Sequence, residues 1–449
     1  MQNIKNKLRK TFVKNKILVL IIFFSFVFSL SYSFYFKIIP AVDARGYDNI
    51  AINIVNGNGY RESIEGDILH DNSIERVGPL YEFFLAGIYS VFGHNYEAVW
   101  IMQAIMHAIT AWLVYLICLI IFESKEHKEK TGLAAAAIFG FYPDLIEISA
   151  MLMTETFYLF LFALALYLFF RFFNKFNIWI AILLGLVFGL ATLARTPVLF
   201  LVPIIIYYFY KKKKFFYCVL FIITMSLVFA PWTARNYSVY NKLLPFGTSG
   251  AFNFWIGNYH GANGEQEAPA EAREYITAYG ATEITSESIR QFTSFIINYP
   301  LEFTKLTFLR INKYFSIIRP IGFWFYQSGW GQFTVLISST FASIILFVFS
   351  LAGIIKFFKS KNEKLKYLSA FTIITPLIIF ISVVETRYRF QIYPLLAIFA
   401  GLFMVYLYQN KKWWLSRVLW ASIIIIFTNG IIDLIFSFEK FRERLGWFI

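Results

Sequence analysis

Long apolar stretches recur along this sequence, and they restrict its folding more than any other feature. Each approaches the ~20 residues that an α-helix needs to cross the hydrocarbon core of a bilayer. Backbone polar groups in a bilayer must be satisfied within the protein, so such stretches fold as helices. The pattern predicts an all-α polytopic membrane protein with about 11 transmembrane helices. These cover approximately residues 17–36, 98–122, 132–149, 153–172, 178–194, 197–210, 215–232, 332–357, 367–384, 391–409 and 414–437.

The composition supports a single membrane unit. Hydrophobic residues make up 58% of the 449 residues and charged residues only 15%, which excludes an ordinary soluble protein. Aromatic residues reach 21%, which suits lipid-facing and interfacial surfaces. We therefore treat residues 1–449 as one transmembrane domain rather than as several soluble domains.

The net charge of +14 does not indicate nucleic-acid binding, because Lys and Arg cluster in short segments between apolar stretches. Such dense basic segments are typical of cytoplasmic loops. The basic segments are 1–16, 123–130, 171–177, 211–214, 356–366 and 411–417. They predict a multi-pass protein of the plasma (inner) membrane, with a cytoplasmic N-terminus and an uncleaved first span; a signal peptide is the alternative.

A polar segment, residues 37–93, interrupts the apolar stretches as the first external loop. Within it, Tyr47, Ile50, Ala51, Ile54 and Val55 repeat on one helical face, which predicts a helix lying in the membrane interface. The opposite, polar face carries Asp48, Asn49, Asn53 and Asn56. A second interfacial helix is expected to begin at Pro79, since proline suits a first helical turn.

The second external region is expected at residues 233–330. Its most polar part, 258–290, is either a flap over a site or a solvated excursion without a direct role. Residues 303–319 are apolar but interrupted by charges, which indicates an interfacial or buried helix. The sequence lacks a Walker loop, an HExxH motif and a dinucleotide fingerprint. Its two cysteines form no metal-binding spacing.

Four stretches together point to one family. The first is Asp43, followed by the interfacial helix and by Arg76-Val-Gly-Pro-Leu-Tyr81. The others are Leu190-Ala-Thr-Leu-Ala-Arg-Thr-Pro197, then Pro231-Trp-Thr-Ala-Arg-Asn-Tyr237 with Gly257-Asn258, and Glu385-Thr-Arg-Tyr-Arg-Phe-Gln-Ile-Tyr-Pro394. Over roughly residues 15–410 the chain resembles the GT-C glycosyltransferases that use polyprenyl-phosphate sugars, in particular the protein O-mannosyltransferase and lipid A aminoarabinose transferase group. Val77-Gly78-Pro79 departs from the family, which often has two prolines there.

The resemblance implies an inverting transfer of a monosaccharide from a polyprenyl-phosphate donor to an external glycan, lipid or protein. Membrane lipids and the lipid-linked donor are then partners, and nucleic acid is not. Two other functions stay open. One is a polymerase or ligase of lipid-linked glycans. The other is a transporter or flippase, which typically places broken helices and polar groups at the bilayer midplane.

Sugar transfer needs a carboxylate to take the acceptor proton and cationic groups to hold the departing phosphate. Asp43 is the candidate base, and a membrane-facing carboxylate is expected to have a raised pKa; the alternative is a helix cap. By the resemblance, Glu75 is the second carboxylate of the site; alternatively it forms a surface ion pair with Arg76.

Arginine side chains are the candidates for the phosphate clamp, because guanidinium binds phosphate through two parallel hydrogen bonds. Snorkelling to lipid headgroups is the alternative for each. Since residues i and i+2 diverge on a helix, only one of Arg387 and Arg389 is expected to face the site. The candidates are Arg76, Arg195, Arg235, Arg387 and Arg389.

Further residues are assigned supporting roles. Glu155 begins a span and either orients an arginine or complements the helix dipole. Tyr47, Tyr81 and Tyr388 are candidate supporting residues of the site. No cofactor is required by the sequence; a divalent metal ion held by Glu75 and His260 is left open.

Overall fold

The computed structural model describes residues 16–280, 282–317, 329–410 and 416–445, and in these ranges it is helical without strands. The α-helices are α1 (Lys16–Phe36), α2 (Asp43–Val55), α3 (Leu80–Phe92), α4 (Tyr96–Ile121), α5 (Lys125–Gly140), α6 (Pro143–Ser149), α7 (Thr154–Asn174), α8 (Ile178–Ala194), α9 (Val202–Lys211), α10 (Phe215–Tyr240), α11 (Ser249–Ile256), α12 (Ala270–Tyr279), α13 (Ile284–Asn298), α14 (Pro300–Tyr314), α15 (Gly329–Phe357), α16 (Glu363–Ile374), α17 (Leu377–Ile381), α18 (Tyr393–Gln409), α19 (Arg417–Phe436) and α20 (Phe438–Leu445). Short 3₁₀ helices cover Ile68–His70, Asn72–Glu75, Thr196–Leu201 and Thr386–Ile392.

The chain is a multi-pass membrane protein. Among the described residues, 8 helices are long and apolar enough to cross a membrane, or 9 if α5 and α6, which meet at 56°, form one broken span. Each of the eleven predicted stretches coincides with a helix. Two of them, α8 and the helical stretch Thr196–Lys211, are shorter than the others and do not reach spanning length by themselves.

Helix α18 lies at the centre of the bundle and packs most extensively against α5 and α15. Twelve of its first thirteen residues, from Tyr393 to Val405, are buried, so this part of the helix is surrounded by protein rather than by lipid. Gly401 permits the contact with α5, because an added Cβ would come within 2.8 Å of Thr131 O and Ala135 N. Small residues at such crossings allow membrane helices to approach closely.

The structure contains both helices that were predicted in the first loop. Helix α2 packs against α3, and Pro79 is the residue before the first turn of α3. The polar face of α2 is partly covered by protein, since Asp48 and Asn53 are buried. Asp48 accepts hydrogen bonds from Tyr89 Oη at 2.6 Å and Tyr96 Oη at 2.7 Å, which pays for removing its carboxylate from water.

Asn53 is buried for a different reason. Its Nδ2 donates to the carbonyl oxygens of Arg61 and Glu62, at 2.9 and 3.3 Å. The side chain therefore ties the following loop back onto α2 and fixes the backbone around Glu62. Side-chain bonds of this kind satisfy loop carbonyls that have no partner in regular structure.

The predicted helix at 303–319 corresponds to α14, which packs against the membrane helix α19. Asn312 Nδ2 donates to Asn429 O at 2.8 Å, and Asn429 Nδ2 donates back to Asn312 O at 2.9 Å. Residues 318–319 of that prediction, and most of the predicted basic N-terminus, lie outside the described residues.

Gly401→Ala should destabilise the protein although alanine favours helices, because the new methyl group overpacks the α18–α5 contact. Overpacking of this kind costs about 1–3 kcal/mol. Gly87→Ala in α3 is the matched control, since no atom lies within 4 Å of its added Cβ. Thermal unfolding in detergent, followed by tryptophan fluorescence, should show a lower midpoint for Gly401→Ala only; equal midpoints would contradict the close crossing.

Candidate functional site

Asp43, the first residue of α2, lies between two arginines that are distant in sequence. Its Oδ1 accepts from Arg76 Nη1 at 3.3 Å, and its Oδ2 accepts from Arg387 Nη1 at 2.9 Å. Its position in the first turn also places the carboxylate at the positive end of the α2 dipole. Asp43 therefore joins the first loop to the segment that precedes α18.

Each of these arginines also binds a second carboxylate. Arg76 donates through Nη2 and Nε to Glu62 Oε2, at 2.5 and 3.1 Å. Arg387 Nε donates to Glu385 Oε2 at 2.7 Å. The result is a continuous line of alternating charges, Glu62–Arg76–Asp43–Arg387–Glu385. Sequence reasoning did not single out Glu62 or Glu385 as site residues, although Glu385 opens one of the four family stretches.

A second ion pair lies close to this line. Arg195 follows α8 and is buried, and its Nη1 pairs with Glu155 and donates to Thr154 Oγ1 at 3.1 Å. The ring of Tyr388 lies 5.5 Å from the guanidinium carbons of both Arg195 and Arg387. Tyr388 thus connects the two ion pairs through cation–π contacts. Glu155 pairs with an arginine and also lies in the first turn of α7, so its position agrees with both roles considered for it.

A polar cavity of about 310 Å³ opens beside Asp43. Charged, amide and hydroxyl side chains supply much of its lining, in keeping with a site for a polar molecule. The lining residues include Asp43, Tyr47, Asn72, Arg76, Thr248, Ser249, Asn253, Gln266, Arg387 and Tyr388. Ile276 of α12 and Ile284 of α13 also face it, so the 258–290 region covers this cavity.

A second cavity of about 380 Å³ adjoins the first and is mainly apolar. Its walls include Phe200, Leu243, Phe246 and Ile378, with Arg195 also in the lining. Four residues belong to both linings, and these are Val77, Ser249, Asn253 and Tyr388. A polar and an apolar compartment therefore share one wall, with arginines on both sides of it.

The expected rise in the pKa of Asp43 was wrong. Burial alone would raise that pKa, but the charges of Arg387, Arg76 and Arg195, together with the hydrogen bond from Arg387, lower it below the usual value of 3.8. Asp43 is consequently ionised in this state. Opposite charges within a few ångströms outweigh desolvation here.

The other predicted residues take different positions. Tyr47 lines the polar cavity beneath Arg76, whose guanidinium carbon lies 5.9 Å from the Tyr47 ring. Tyr81 stands behind Tyr47 in an edge-to-face contact at 5.6 Å and donates to Gln103 Oε1 at 2.8 Å. The three predicted tyrosines are therefore part of the walls or of their immediate support.

Arg235 and Arg389 line neither of the two cavities described above. Arg235 Nη2 donates to Tyr60 O at 2.8 Å, and its guanidinium packs on Trp232. Arg389 Nη1 donates to Ser316 O at 2.7 Å, which shows that Arg387 and Arg389 diverge as expected. Both arginines hold loop carbonyls near the site.

Of the two predicted metal ligands, Glu75 and His260, the structure describes only the side chain of His260. His260 Nδ1 lies 3.1 Å from Glu302 Oε2 on an exposed surface. The backbone of Glu75 ends a 3₁₀ helix beside Arg76, and its side chain lies outside what the structure describes. Within the described residues, no three His, Cys, Asp or Glu side chains converge as a metal site.

The lowered pKa of Asp43 predicts how its ion pairs respond to pH. They are fully formed above the unfolded-state value of 3.8 and are lost as the pH falls through the lower folded-state pKa. The difference in unfolding temperature between wild type and Asp43→Asn should therefore stay constant from neutral pH down to about 3.8. Thermal unfolding across pH measures this, and a difference that vanishes well above 3.8 would contradict the assignment.

One family of known proteins matches a part of the chain that contains three residues of the site. Residues 76–234 match the family of dolichyl-phosphate-mannose-protein mannosyltransferases. This segment contains Arg76, Glu155 and Arg195 of the site. No curated protein matches the sequence significantly.

Solved structures resemble nearly the whole chain. The apo oligosaccharyltransferase of Archaeoglobus fulgidus has a TM-score of 0.54 at 12% identity, covering 94% of this chain and 56% of its own. The archaeal oligosaccharyltransferase AglB of the same organism, in complex with an inhibitory peptide and a dolichol-phosphate, has a TM-score of 0.52 at 12% identity, covering 94% of this chain and 55% of its own. ArnT from Cupriavidus metallidurans bound to undecaprenyl phosphate reaches 0.39 at 10% identity, covering 88% and 79%, a score too low to establish a common fold.

This chain spans about half the length of the oligosaccharyltransferases that it resembles. At these identities the likeness establishes the fold alone. The chain thus has the fold of the Archaeoglobus fulgidus oligosaccharyltransferases, and its residues 76–234 match the dolichyl-phosphate-mannose-protein mannosyltransferase family.

Proposed function

We propose that this protein is an integral-membrane glycosyltransferase that moves a monosaccharide from a polyprenyl-phosphate donor to an external acceptor, with inversion. The observation that carries the proposal is Asp43, held by two arginines in a polar cavity that shares a wall with an apolar one. A lipid-linked sugar has the same division into an apolar chain, an anionic phosphate and a polar ring.

The donor fits the two cavities in one direction. The first isoprenoid units occupy the apolar cavity, where transfer of hydrocarbon from water is favourable. The phosphate then lies at the shared wall, between Arg195 on one side and Arg387 on the other. The sugar enters the polar cavity and approaches Asp43. Binding of a dolichol-phosphate to AglB, a protein with the same fold, agrees with this class of donor.

Asp43 is proposed as the general base for the acceptor hydroxyl. In the described state both of its oxygens bind arginines, so it is ionised but weakly basic. A donor phosphate competes with Asp43 for Arg387. When Arg387 shifts towards the phosphate, Asp43 loses a charge and a hydrogen bond that lower its pKa. Donor binding would then release one Asp43 oxygen and increase its basicity at the moment when a base is needed.

The arginines also stabilise the leaving group. Charge develops on the phosphate oxygen as the glycosidic bond breaks, and preorganised guanidinium groups lower the energy of that state. Arg195 and Arg387 are fixed by Glu155 and Glu385, so little reorganisation is required. Arg235 and Arg389 keep the adjoining loops in place. Glu75 remains a proposed site carboxylate.

We propose that the site faces the exterior of the plasma (inner) membrane. More than half of the 41 Lys and Arg residues lie in the six basic segments. Contacts such as Lys211–Glu363, His127–Gln409 and Asn362–Ile121 bring several of the described basic segments together at one end of the bundle. Under the positive-inside rule that end is cytoplasmic. The acceptor, a glycan, lipid or protein, then approaches from outside, where residues 258–290 border the polar cavity.

Asp43→Asn should lower turnover by about 10²–10⁴-fold, because the amide cannot accept the acceptor proton. The assay combines purified protein in lipid nanodiscs with a panel of polyprenyl-phosphate monosaccharides, and mass spectrometry detects cleaved donor and glycosylated acceptor. Asp67→Asn is the matched control, since Asp67 is an exposed carboxylate of the same loop. Near-normal turnover by folded Asp43→Asn at saturating donor would remove Asp43 as the base.

Arg387→Ala should act on donor binding instead, weakening it roughly tenfold or more through loss of a charge-assisted contact. Arg290→Ala, which removes an exposed arginine on α13, should leave binding unchanged. Transport of intact lipid-linked sugar across vesicles, without cleavage by the wild type, would instead support a flippase.

Membrane orientation predicts opposite labelling of two exposed sites. In a background without Cys118 and Cys218, Gly261→Cys should react with a membrane-impermeant maleimide on intact cells, and Lys213→Cys should react only after lysis. Both positions are solvent-exposed, so accessibility within the protein does not limit either reaction. Labelling of Lys213→Cys alone from outside would invert the orientation.

A further inference from the structure

A short external segment, residues 263–267, reaches over the polar cavity and is fixed at several points. We call it the strap. Lys313 Nζ donates to Asn263 O at 2.9 Å and binds Glu265 at 2.7 Å. Val384 N donates to Gly264 O at 3.0 Å. The strap is thereby tied to α14 and to the segment that carries Arg387.

The C-terminal helix α20 supplies a further anchor. Lys440 binds Glu265 at 2.7 Å and Glu267 at 3.2 Å. These two carboxylates flank Gln266 on both sides. Although exposed ion pairs contribute little individually, several together restrict the position of a short segment. The strap therefore holds Gln266 in a defined place.

Gln266 is the strap residue that lines the polar cavity. Its Oε1 accepts a hydrogen bond from Tyr388 Oη at 3.2 Å. Tyr388 belongs to the wall shared by both cavities and packs against Arg195 and Arg387. Gln266 is thus located beside the junction at which sugar and phosphate are joined in the proposed donor.

The amide nitrogen of Gln266 points to a recognition role. Among the described residues, none accepts a hydrogen bond from its Nε2, while its oxygen is already bound by Tyr388. An amide fixed through its oxygen presents two N–H donors in a set orientation. A ring hydroxyl oxygen of a sugar is a suitable acceptor at this place.

We propose that Gln266 is a specificity-determining residue that donates a hydrogen bond to one hydroxyl of the transferred sugar. The proposal rests on the glycosyltransferase function above and extends it to recognition of the donor ring. Gln266 and the hydroxyl form one hydrogen-bonded pair, so removing either partner removes the same interaction.

The test is a cycle of one variant and one altered substrate. From polyprenyl-phosphate hexoses and pentoses, the donor used fastest by the wild type is selected and its monodeoxy analogues are prepared. Gln266→Met keeps the side-chain length and removes the donors. It should lower kcat/KM for the intact sugar about 3- to 10-fold, the range for one neutral hydrogen bond.

The decisive result is the pattern across the analogues. With one deoxy donor, wild type and Gln266→Met should have equal kcat/KM. With every other analogue, the decrease in kcat/KM caused by the substitution and the decrease caused by deoxygenation should multiply. Losses that multiply for all analogues, or an unchanged kcat/KM for Gln266→Met on the intact donor, would overturn the proposal. If Gln266→Met does not fold, Gln266→Ala serves in the same cycle.

Two controls separate recognition from positioning and from misfolding. Lys440→Ala loosens the strap and should reduce kcat/KM for all donors by a similar factor. Gln291→Met changes a glutamine on α13 that binds Glu287, and should have no effect. Absence of transfer from every donor by the wild type would refute the glycosyltransferase function itself, which is a different outcome from multiplicative losses by an active enzyme.

Discussion

The placement of Asp43 between Arg76 and Arg387 is the interaction on which the site depends. The Asp43–Arg387 pair joins two segments that are 344 residues apart. The line of charges extends from Arg76 to Glu62 and from Arg387 to Glu385. Removing charges from water is costly, and each group in such a line compensates its neighbours. The same compensation keeps Asp43 ionised. The network is therefore a structural link, and in the proposed function its arginines are also the groups that bind phosphate.

The length and apolar composition of local sequence stretches were sufficient to predict the membrane helices, because burial in lipid requires both. The resemblance to family stretches singled out Asp43 and Arg387, which the structure brings together at 2.9 Å. Neither periodicity nor resemblance identified Glu62 or Gln266, which lie in loops whose path depends on tertiary contacts. The burial of Asp48 could not be predicted for the same reason, since the tyrosines that bind it come from α3 and α4.

One of the two adjoining cavities is polar and the other is mainly apolar, so the site favours one orientation of a ligand with a polar and an apolar end. Tyr388 takes part in both, and its ring separates two guanidinium groups while its hydroxyl reaches the strap. In the proposed donor complex, a change at this one side chain would therefore affect the contacts with lipid, phosphate and sugar together. The chain is about half as long as the oligosaccharyltransferases whose fold it shares.

The anchoring of the strap by Lys440 also has a consequence for biogenesis. Synthesis proceeds from the N-terminus, so Asp43, Glu62 and Arg76 emerge from the ribosome long before Arg387. Arg387 arrives only with the segment before α18, and Lys440 only after α19 has been made. A nascent chain arrested before α19 would contain every proposed catalytic group and the strap contacts of Lys313 and Val384, but it would lack the anchor of Lys440. Completion of the site is consequently among the last events of membrane insertion.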